Sequence, residues 1–176
     1  MKAERFENML TGGHPNSLGR TVEVVETVLA KPSRLDELYH CYFSDDEVVR
    51  LRTSSALKRI ARAEPDWLMP YMDRFITEIS KIDQASTQWT LADLFDTLKP
   101  LMSREQITGA KKHMKRNLQH HDDWIVLNTT MQTLFNWAET DSRLRKWLLP
   151  QLERLSRDSR KSVAGRATKL RKRYDT

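Results

Sequence analysis

The chain has 176 residues, of which 31% are charged, and no apolar run approaches the roughly 18 residues of a membrane span. Only 5 Gly and 6 Pro are present, too few for the dense turns of an all-β protein, so the composition predicts an all-α fold. The net charge of +6 is uneven, because residues 154–176 carry nine Lys or Arg against two Asp, whereas residues 1–153 sum to −1.

The N-terminal segment, residues 1–15, has mixed charge and lacks the apolar core of a signal peptide. It ends in "TGGH" and is predicted to be loose, with a single helical domain over residues 16–176. The lone Cys41 excludes an internal disulfide, which favours a cytoplasmic location. Its neighbours are mostly apolar, so Cys41 is predicted to be a buried core residue.

Apolar residues recur at helical spacing along the rest of the chain and are interrupted by short polar or Pro-containing turns. The pattern predicts a leading helix and then four antiparallel helix pairs, of which the second is the least regular. The leading helix is predicted over residues 16–31, and the pairs over 34–43 with 46–62, 66–81 with 84–98, 104–119 with 122–138, and 143–156 with 159–174.

Two phrases of the sequence occur twice. "WLMPYMDRF" at residues 67–75 matches "WLLPQLERL" at 147–155, and residues 44–61 resemble residues 121–138. The offsets of 80 and 77 are each two periods of about 38–40 residues, and such a period with two helices per unit predicts a stack of helical repeats. Each unit would bury its apolar face against the next one.

The repeated phrases also predict local roles. Asp46 and Asp123 occupy matching positions before a helix and are predicted to cap it through the carboxylate. Pro70 and Pro150 are predicted to lie in the first turn of a helix, where the missing N–H costs little.

The segments "DDEVVRLRTSSALKRIA" and "WLLPQLERL" resemble HEAT repeats, and the resemblance extends over roughly residues 34–174. It implies a short right-handed α-solenoid of about four HEAT-like helix pairs plus the leading helix. In such solenoids the second helix of each pair lines a concave surface. The resemblance describes a fold and leaves the function open.

Three arginines, Arg52, Arg59 and Arg62, lie on one side of a predicted second helix, away from its apolar face. In a solenoid this side lines the groove, so the three are candidates for contact with a partner. The alternative is an ordinary solvated face. Trp89 aligns approximately with Arg52 and is a fourth groove candidate.

The basic C-terminal helices provide a second candidate surface for an acidic partner. The alternative is the polar outer face that a terminal repeat needs for solubility. No aromatic residue is interleaved before Tyr174, so nucleic acid would be bound through its phosphates and not by base stacking. The candidate residues are Arg160, Lys161, Arg166, Lys169, Lys172 and Arg173.

Motifs for catalysis, metal binding and cofactor binding are absent from the sequence, so none of these is predicted. "HHDD" at residues 120–123 is interpreted as turn and cap residues. "WTLAD" places Trp89 and Asp93 one helical turn apart. Bacterial DNA alkylation repair glycosylases, which are HEAT-like, use Trp and Asp on groove-lining helices. That similarity implies an alternative in which Asp93 stabilises an oxocarbenium-like sugar during base release.

The sequence therefore favours a non-catalytic binding or adaptor module with an acidic macromolecular partner. A protein is the first expectation for that partner, and DNA or RNA bound through the basic C-terminal helices is the second. No membrane and no small-molecule substrate is expected. A DNA repair protein and a subunit of a larger assembly remain alternatives.

Overall fold

The computed structural model describes residues 3–175, and every regular element in that range is a helix. Helical residues make up 78% of the described residues, which confirms the all-α fold class. The α-helices of the described chain are α1 (Phe6–Leu10), α2 (Thr21–Ala30), α3 (Leu35–His40), α4 (Glu47–Ala63), α5 (Met72–Thr77), α6 (Ala85–Leu98), α7 (Arg104–His120), α8 (Trp124–Ala138), α9 (Ser142–Leu155) and α10 (Lys161–Lys172).

The chain divides into two compact units, residues 1–71 and residues 72–176. Unit 1 contains α1 to α4, and unit 2 contains α5 to α10. The helix positions agree closely with the predicted pairs. The right-handed solenoid and the single domain over residues 16–176 stay predictions. Among the described residues, none of the helices combines the length and apolarity required to span a bilayer.

The helix α4 is the centre of unit 1 and packs against α1, α2 and α3. Its start is fixed by Asp46, whose carboxylate accepts the backbone N–H of Val48 at 2.8 Å, so the predicted cap is confirmed. The predicted apolar face is buried as well, since Val49, Leu57 and Ile60 have no exposed surface. This face gives the remaining helices of unit 1 a common surface on which to pack.

The N-terminal segment is folded onto unit 1 over its described residues. The short helix α1 contacts α2, α3 and α4, and its residues Phe6, Met9 and Leu10 are buried. The Arg34 guanidinium stacks on the Phe6 ring, 3.8 Å from the ring centre. Residues 3–15 therefore differ from the loose segment that the sequence predicted, because their three large apolar side chains reach the core.

The side chain of Arg52 holds the loop that follows α1. Arg52 lies on α4 and is only 3% exposed, although the sequence placed it on an open groove. The helical periodicity was read correctly, but the side of α4 away from the main core is covered by the N-terminal loop. The guanidinium donates to four carbonyl oxygens of that loop, those of Leu10 (2.7 Å), Gly12 (2.6 Å), His14 (3.2 Å) and Ser17 (3.1 Å).

Glycines give the same loop its shape. Gly12, Gly13 and Gly19 have φ angles of +78°, +75° and +51°, in the region that other residues rarely adopt. A Cβ atom on Gly19 would lie 2.9 Å from Cζ of Arg52, whereas one on Gly12 would meet nothing within 4 Å. Gly19 is therefore required both for its backbone conformation and for close approach to Arg52.

Replacing Arg52 with Met should lower the free energy of unfolding by about 3 kcal/mol, because buried carbonyl oxygens lose a charged donor. Urea unfolding followed by circular dichroism measures the change. The control is Arg59→Met, an exposed position on the same helix, which should stay within about 0.5 kcal/mol of wild type. Equal effects of the two substitutions would contradict the structural role of Arg52.

Gly19→Ala should destabilise the protein more than Gly12→Ala. Both substitutions place a Cβ atom on a residue with positive φ, at a cost of about 1 kcal/mol, but only Gly19→Ala also displaces the Arg52 guanidinium. Thermal unfolding of the two variants side by side measures the difference. A Gly12→Ala variant as unstable as Gly19→Ala would show that the backbone conformation alone accounts for the effect.

Cys41 is buried in unit 1, as predicted, with 5% of its surface exposed. Its thiol donates a weak hydrogen bond to the carbonyl oxygen of Glu37 at 3.4 Å. Burial, with a smaller contribution from the nearby carboxylates of Glu7 and Glu37, raises the pKa of the thiol to about 12. Cys41 is therefore a protonated core residue at neutral pH.

The helix α8 is the centre of unit 2 and packs against α6, α7, α9 and α10. Its start is capped by Asp123, which accepts the N–H groups of Ile125 at 2.8 Å and Val126 at 3.0 Å, as predicted. At its other end Asp96 of α6 accepts the Trp137 indole N–H at 3.1 Å. Polar contacts at both ends thus fix the position of α8 in the unit.

The prolines of the repeated phrase lie elsewhere than predicted. Pro150 is inside α9, which begins at Ser142 behind an Asp141 cap, and is not in its first turn. Pro70 lies in a 3₁₀ segment, Pro65–Tyr71. The error has a simple cause, because the phrase was assumed to open a helix, whereas in α9 the cap lies six residues before Trp147.

Candidate functional site

The positive charge of the chain belongs to unit 2. Residues 72–176 contain 20 Lys or Arg and 13 Asp or Glu, a net charge of +7, whereas residues 1–71 contain 10 and 11, a net charge of −1. Surfaces that attract an acidic partner are therefore expected on α5 to α10. Two clusters of exposed cations are found there, one on α10 and one on α7.

Three of the six predicted C-terminal residues are engaged by neighbouring side chains. The Arg160 guanidinium pairs with both carboxylate oxygens of Asp158 at 2.8 Å and also donates to the carbonyl oxygen of Asp122. This pairing lowers the pKa of Asp158 to about 2.

Arg166 donates to Gln132 at 2.8 Å, and Arg173 lies 3.8 Å from Glu139 and stacks on Phe135. These three arginines link α10 to α8 or brace the turn before it.

The other three predicted residues, Lys161, Lys169 and Lys172, are exposed. Within residues 3–175 none of them has an ion pair at 4.0 Å or less. Helical periodicity places them within about 80° of one another around the axis of α10. We call these three lysines the α10 surface. These lysines are three of the six C-terminal residues that the sequence predicted as a contact surface.

The sequence reasoning missed a second basic cluster, on α7. This helix carries five Lys or Arg and one Glu, but the count over residues 1–153 averaged its charge away. Side chains of α7 alone line a shallow depression of about 420 Å³, which we call the α7 surface. It contains no carboxylate, and it consists of Lys111, Lys112, Lys115, Arg116, Gln119 and His120.

Two of these lysines are held by α9 or the turn before it. Lys111 pairs with Asp141, the cap of α9, at 2.7 Å. Lys115 lies over the Trp147 ring, 4.8 Å from its centre, which is cation–π geometry. Lys112 and Arg116, in contrast, are exposed and lie one helical turn apart. The α7 surface thus combines fixed and solvent-facing cations.

A larger cleft, about 510 Å³, adjoins the C-terminal half of α7. It lies between α7 and the turn that joins α5 to α6, and three histidines line it. We call it the histidine cleft. Arg116 and His120 also belong to the α7 surface, so the cleft and that surface are continuous. The lining residues are Ser80, Lys81, Ile82, Asp83, Gln88, His113, Arg116, Asn117, His120 and His121.

The back wall of the cleft is a hydrogen-bonded network around Gln88, which is 5% exposed. Its amide nitrogen donates to the carbonyl oxygens of Ser80 at 3.1 Å and Ile82 at 2.8 Å. Its amide oxygen accepts from Asn117 at 2.9 Å and lies 2.7 Å from Nε2 of His113. Because the amide nitrogen is occupied by carbonyls, the oxygen faces His113, and Nε2 must carry the proton.

The imidazole of His113 is neutral at physiological pH. Burial is the main cause, and the neighbouring Arg116 and His121 act in the same direction, so the pKa of His113 is lowered from 6.5 to about 4. The N–H on Nε2 therefore belongs to a neutral ring. The wall of the cleft supplies fixed hydrogen-bonding groups without adding charge.

The pKa of His113 predicts a specific pH dependence of stability. Between about pH 6.5 and pH 4 the unfolded chain binds a proton at this residue and the folded chain does not, so the free energy of unfolding falls as the pH falls through that window. His113→Gln keeps a donor for Gln88 and removes the titration. The variant should therefore lose less stability than wild type when urea unfolding is measured from about pH 7 to about pH 4.5.

The control for this measurement is His14→Gln, since residue 14 is an exposed histidine in unit 1. We expect it to follow the wild-type pH dependence. If His113→Gln also follows wild type across the whole window, the neutral state of buried His113 is contradicted.

The predicted groove residues are divided between the two units. Arg52 is bonded inside unit 1, while Arg59 and Arg62 are exposed on α4. Trp89 and Asp93 lie on α6 in unit 2, and both are half-buried. Neither of them lines the histidine cleft or the α7 surface.

Another tryptophan, Trp124, is 50% exposed at the first position of α8. It follows His121 of the histidine cleft by three residues, so their Cα atoms are at most about 11 Å apart. The sequence singled out Trp89 because of its alignment with Arg52. Exposure of Trp124 depends on the turn that begins α8, which the alignment does not report.

The "HHDD" segment behaves as turn and cap residues in part. Asp123 caps α8, and Nδ1 of His121 accepts the backbone N–H of Asp123 at 3.0 Å. Over the described part of the chain, no three His, Cys, Asp or Glu side chains are grouped so that they could hold a metal ion.

Comparisons of the chain with protein-family models, with characterised proteins and with solved structures found no match. The resemblance to HEAT repeats accordingly stays a prediction from the repeated phrases. The function has to be argued from the surfaces of unit 2.

Proposed function

We propose that this protein is a non-catalytic binding module that attaches to an acidic macromolecule through unit 2. The observation that carries the proposal is the α7 surface, a depression lined by cations, one Gln and one His without a carboxylate. A cationic depression of this kind concentrates positive potential where a polyanion can lie.

The α7 surface is favoured over the α10 surface as the primary contact. Near α10, Arg157 and Arg171 share the Glu153 carboxylate and Arg160 pairs with Asp158, whereas on the α7 surface, over the described residues, Lys111 alone is paired with a carboxylate, that of Asp141. The three lysines of the α10 surface then serve as a secondary contact. Both surfaces would contribute to the affinity for a long polyanion, because each cation that contacts a phosphate releases counterions from the polymer.

Nucleic acid is the partner class favoured by a specific observation. Trp124 offers a half-exposed aromatic ring three residues from His121, where a base could stack while phosphates meet the cations of α7. An acidic protein segment would use the cations but not the ring. A DNA or RNA strand therefore fits the surface better than an acidic protein.

Base release by Trp89 and Asp93 gains no support from their positions. Both side chains are half-buried on α6, and the cleft that adjoins α7 is lined by neither. The adaptor proposal does not need these residues.

The proposal predicts salt-sensitive binding of labelled single-stranded DNA or RNA, measured by fluorescence anisotropy. The logarithm of the affinity should fall linearly with the logarithm of salt, by about 0.7 per phosphate neutralised. Lys112→Gln with Lys115→Gln should reduce the slope by about 1.4 units, and Lys169→Gln with Lys172→Gln by a smaller amount.

The control variant is Arg59→Gln, an exposed cation of unit 1 that should leave the slope unchanged. A polyglutamate chain of matched length tests the acidic-protein partner. If neither nucleic acid nor polyglutamate binds at about 50 mM salt, the proposed function is overturned.

A further inference from the structure

The histidine cleft brings hydrogen-bond donors together from three segments of the chain. Lys81 comes from the turn after α5, Arg116 and His120 come from α7, and His121 comes from the turn after α7. The carboxylate of Asp83 is the one acidic group among the lining residues. Cationic and imidazole donors therefore approach the same space from different directions.

The direction of approach discriminates between anions. A carboxylate accepts hydrogen bonds in a single plane, so one arginine fork is enough to satisfy it. A phosphate monoester presents three terminal oxygens around phosphorus, carries close to two negative charges and suits donors that converge from several sides. We propose that the histidine cleft binds the phosphate group of a phosphate monoester, with Arg116 as its principal anchor.

The size of the cleft indicates that more than a phosphate enters it. Its volume of about 510 Å³ lies in the range of about 300–1,000 Å³ that is usual for small-molecule sites. A single phosphate fills a small part of that space. The remainder accommodates the group that carries the phosphate, for which a nucleoside has a suitable size.

The wall of the cleft is preorganised for such a ligand. Four hydrogen bonds fix the buried Gln88 amide, and through it His113 and Asn117. The turn that carries Lys81 is held by the same amide, through the carbonyl oxygens of Ser80 and Ile82. Binding therefore requires little ordering of the protein, which favours affinity.

This inference rests on the proposed function in one respect, since Arg116 and His120 belong to both the cleft and the α7 surface. Internal phosphates of a nucleic-acid strand are diesters, and only a terminal phosphate is a monoester. A strand lying along α7 would therefore place its terminal phosphate in the cleft. A free nucleotide is the other source of the same chemical group. The experiment separates these two sources.

The first measurement is the binding of inorganic phosphate and AMP, followed by NMR of the ¹⁵N-labelled protein. The side-chain amide signals of Gln88 and Asn117 should shift, because both groups form the cleft wall.

Arg116→Gln should weaken AMP binding by about tenfold. Asp83→Asn should strengthen it by about threefold, since it removes the opposing carboxylate. Arg59→Gln, an exposed cation of unit 1 that does not line the cleft, should change it by less than about twofold.

The second measurement compares one oligonucleotide with a 5′-phosphate and with a 5′-hydroxyl. Wild type should prefer the phosphorylated strand by about tenfold, and Arg116→Gln should abolish that preference. Replacing both Lys169 and Lys172 with Gln should weaken both strands and keep the preference. If AMP binds but the phosphorylated strand shows no advantage, free nucleotides are the ligand of the cleft.

The two proposals fail in different ways. Salt-sensitive binding of both strands without a phosphate preference, together with unshifted Gln88 and Asn117 signals, would overturn the cleft proposal and leave the proposed function intact. Phosphate and AMP binding in the cleft without binding of any polymer would overturn the proposed function and support the cleft.

Discussion

The fold depends on the burial of apolar faces between helices, most of which are too short to be stable alone. Isolated helices shorter than about 12–15 residues are marginal in water, and α8, at the centre of unit 2, lies at that limit with 15 residues. Its residues Val126, Met131 and Leu134 are completely buried by the surrounding helices. Packing of this kind leaves the outer polar sides of α7 and α10 exposed, and these sides carry the cations on which the functional proposal rests.

In unit 1 a charged side chain, and not an apolar one, holds a segment of the chain in place. The N-terminal loop has few apolar side chains of its own, so the Arg52 guanidinium anchors it by donating to four backbone carbonyl oxygens. A buried arginine is tolerated there because four of its five N–H groups donate to carbonyl oxygens. One of the three predicted groove arginines is thereby used inside the fold.

The sequence was informative where local rules decide the outcome. The helix pattern follows from apolar periodicity, and the caps at Asp46 and Asp123 follow from the chemistry of helix ends. Arg52 was misplaced because a helical wheel gives the direction of a side chain but not what covers it. The histidine cleft was not predictable, because it depends on Gln88 joining residues 80–82 to α7 across a gap in sequence. The basic cluster on α7 was readable, however, had charge been counted helix by helix.

The buried thiol of Cys41 has a practical consequence. With 5% exposure and a pKa raised to about 12, it supplies almost no thiolate for alkylating reagents at neutral pH. A cysteine introduced on the outer side of α7 or α10 would therefore be labelled selectively without first removing the native one. Fluorophores or spin labels can thus be attached to either basic surface of the otherwise unaltered chain.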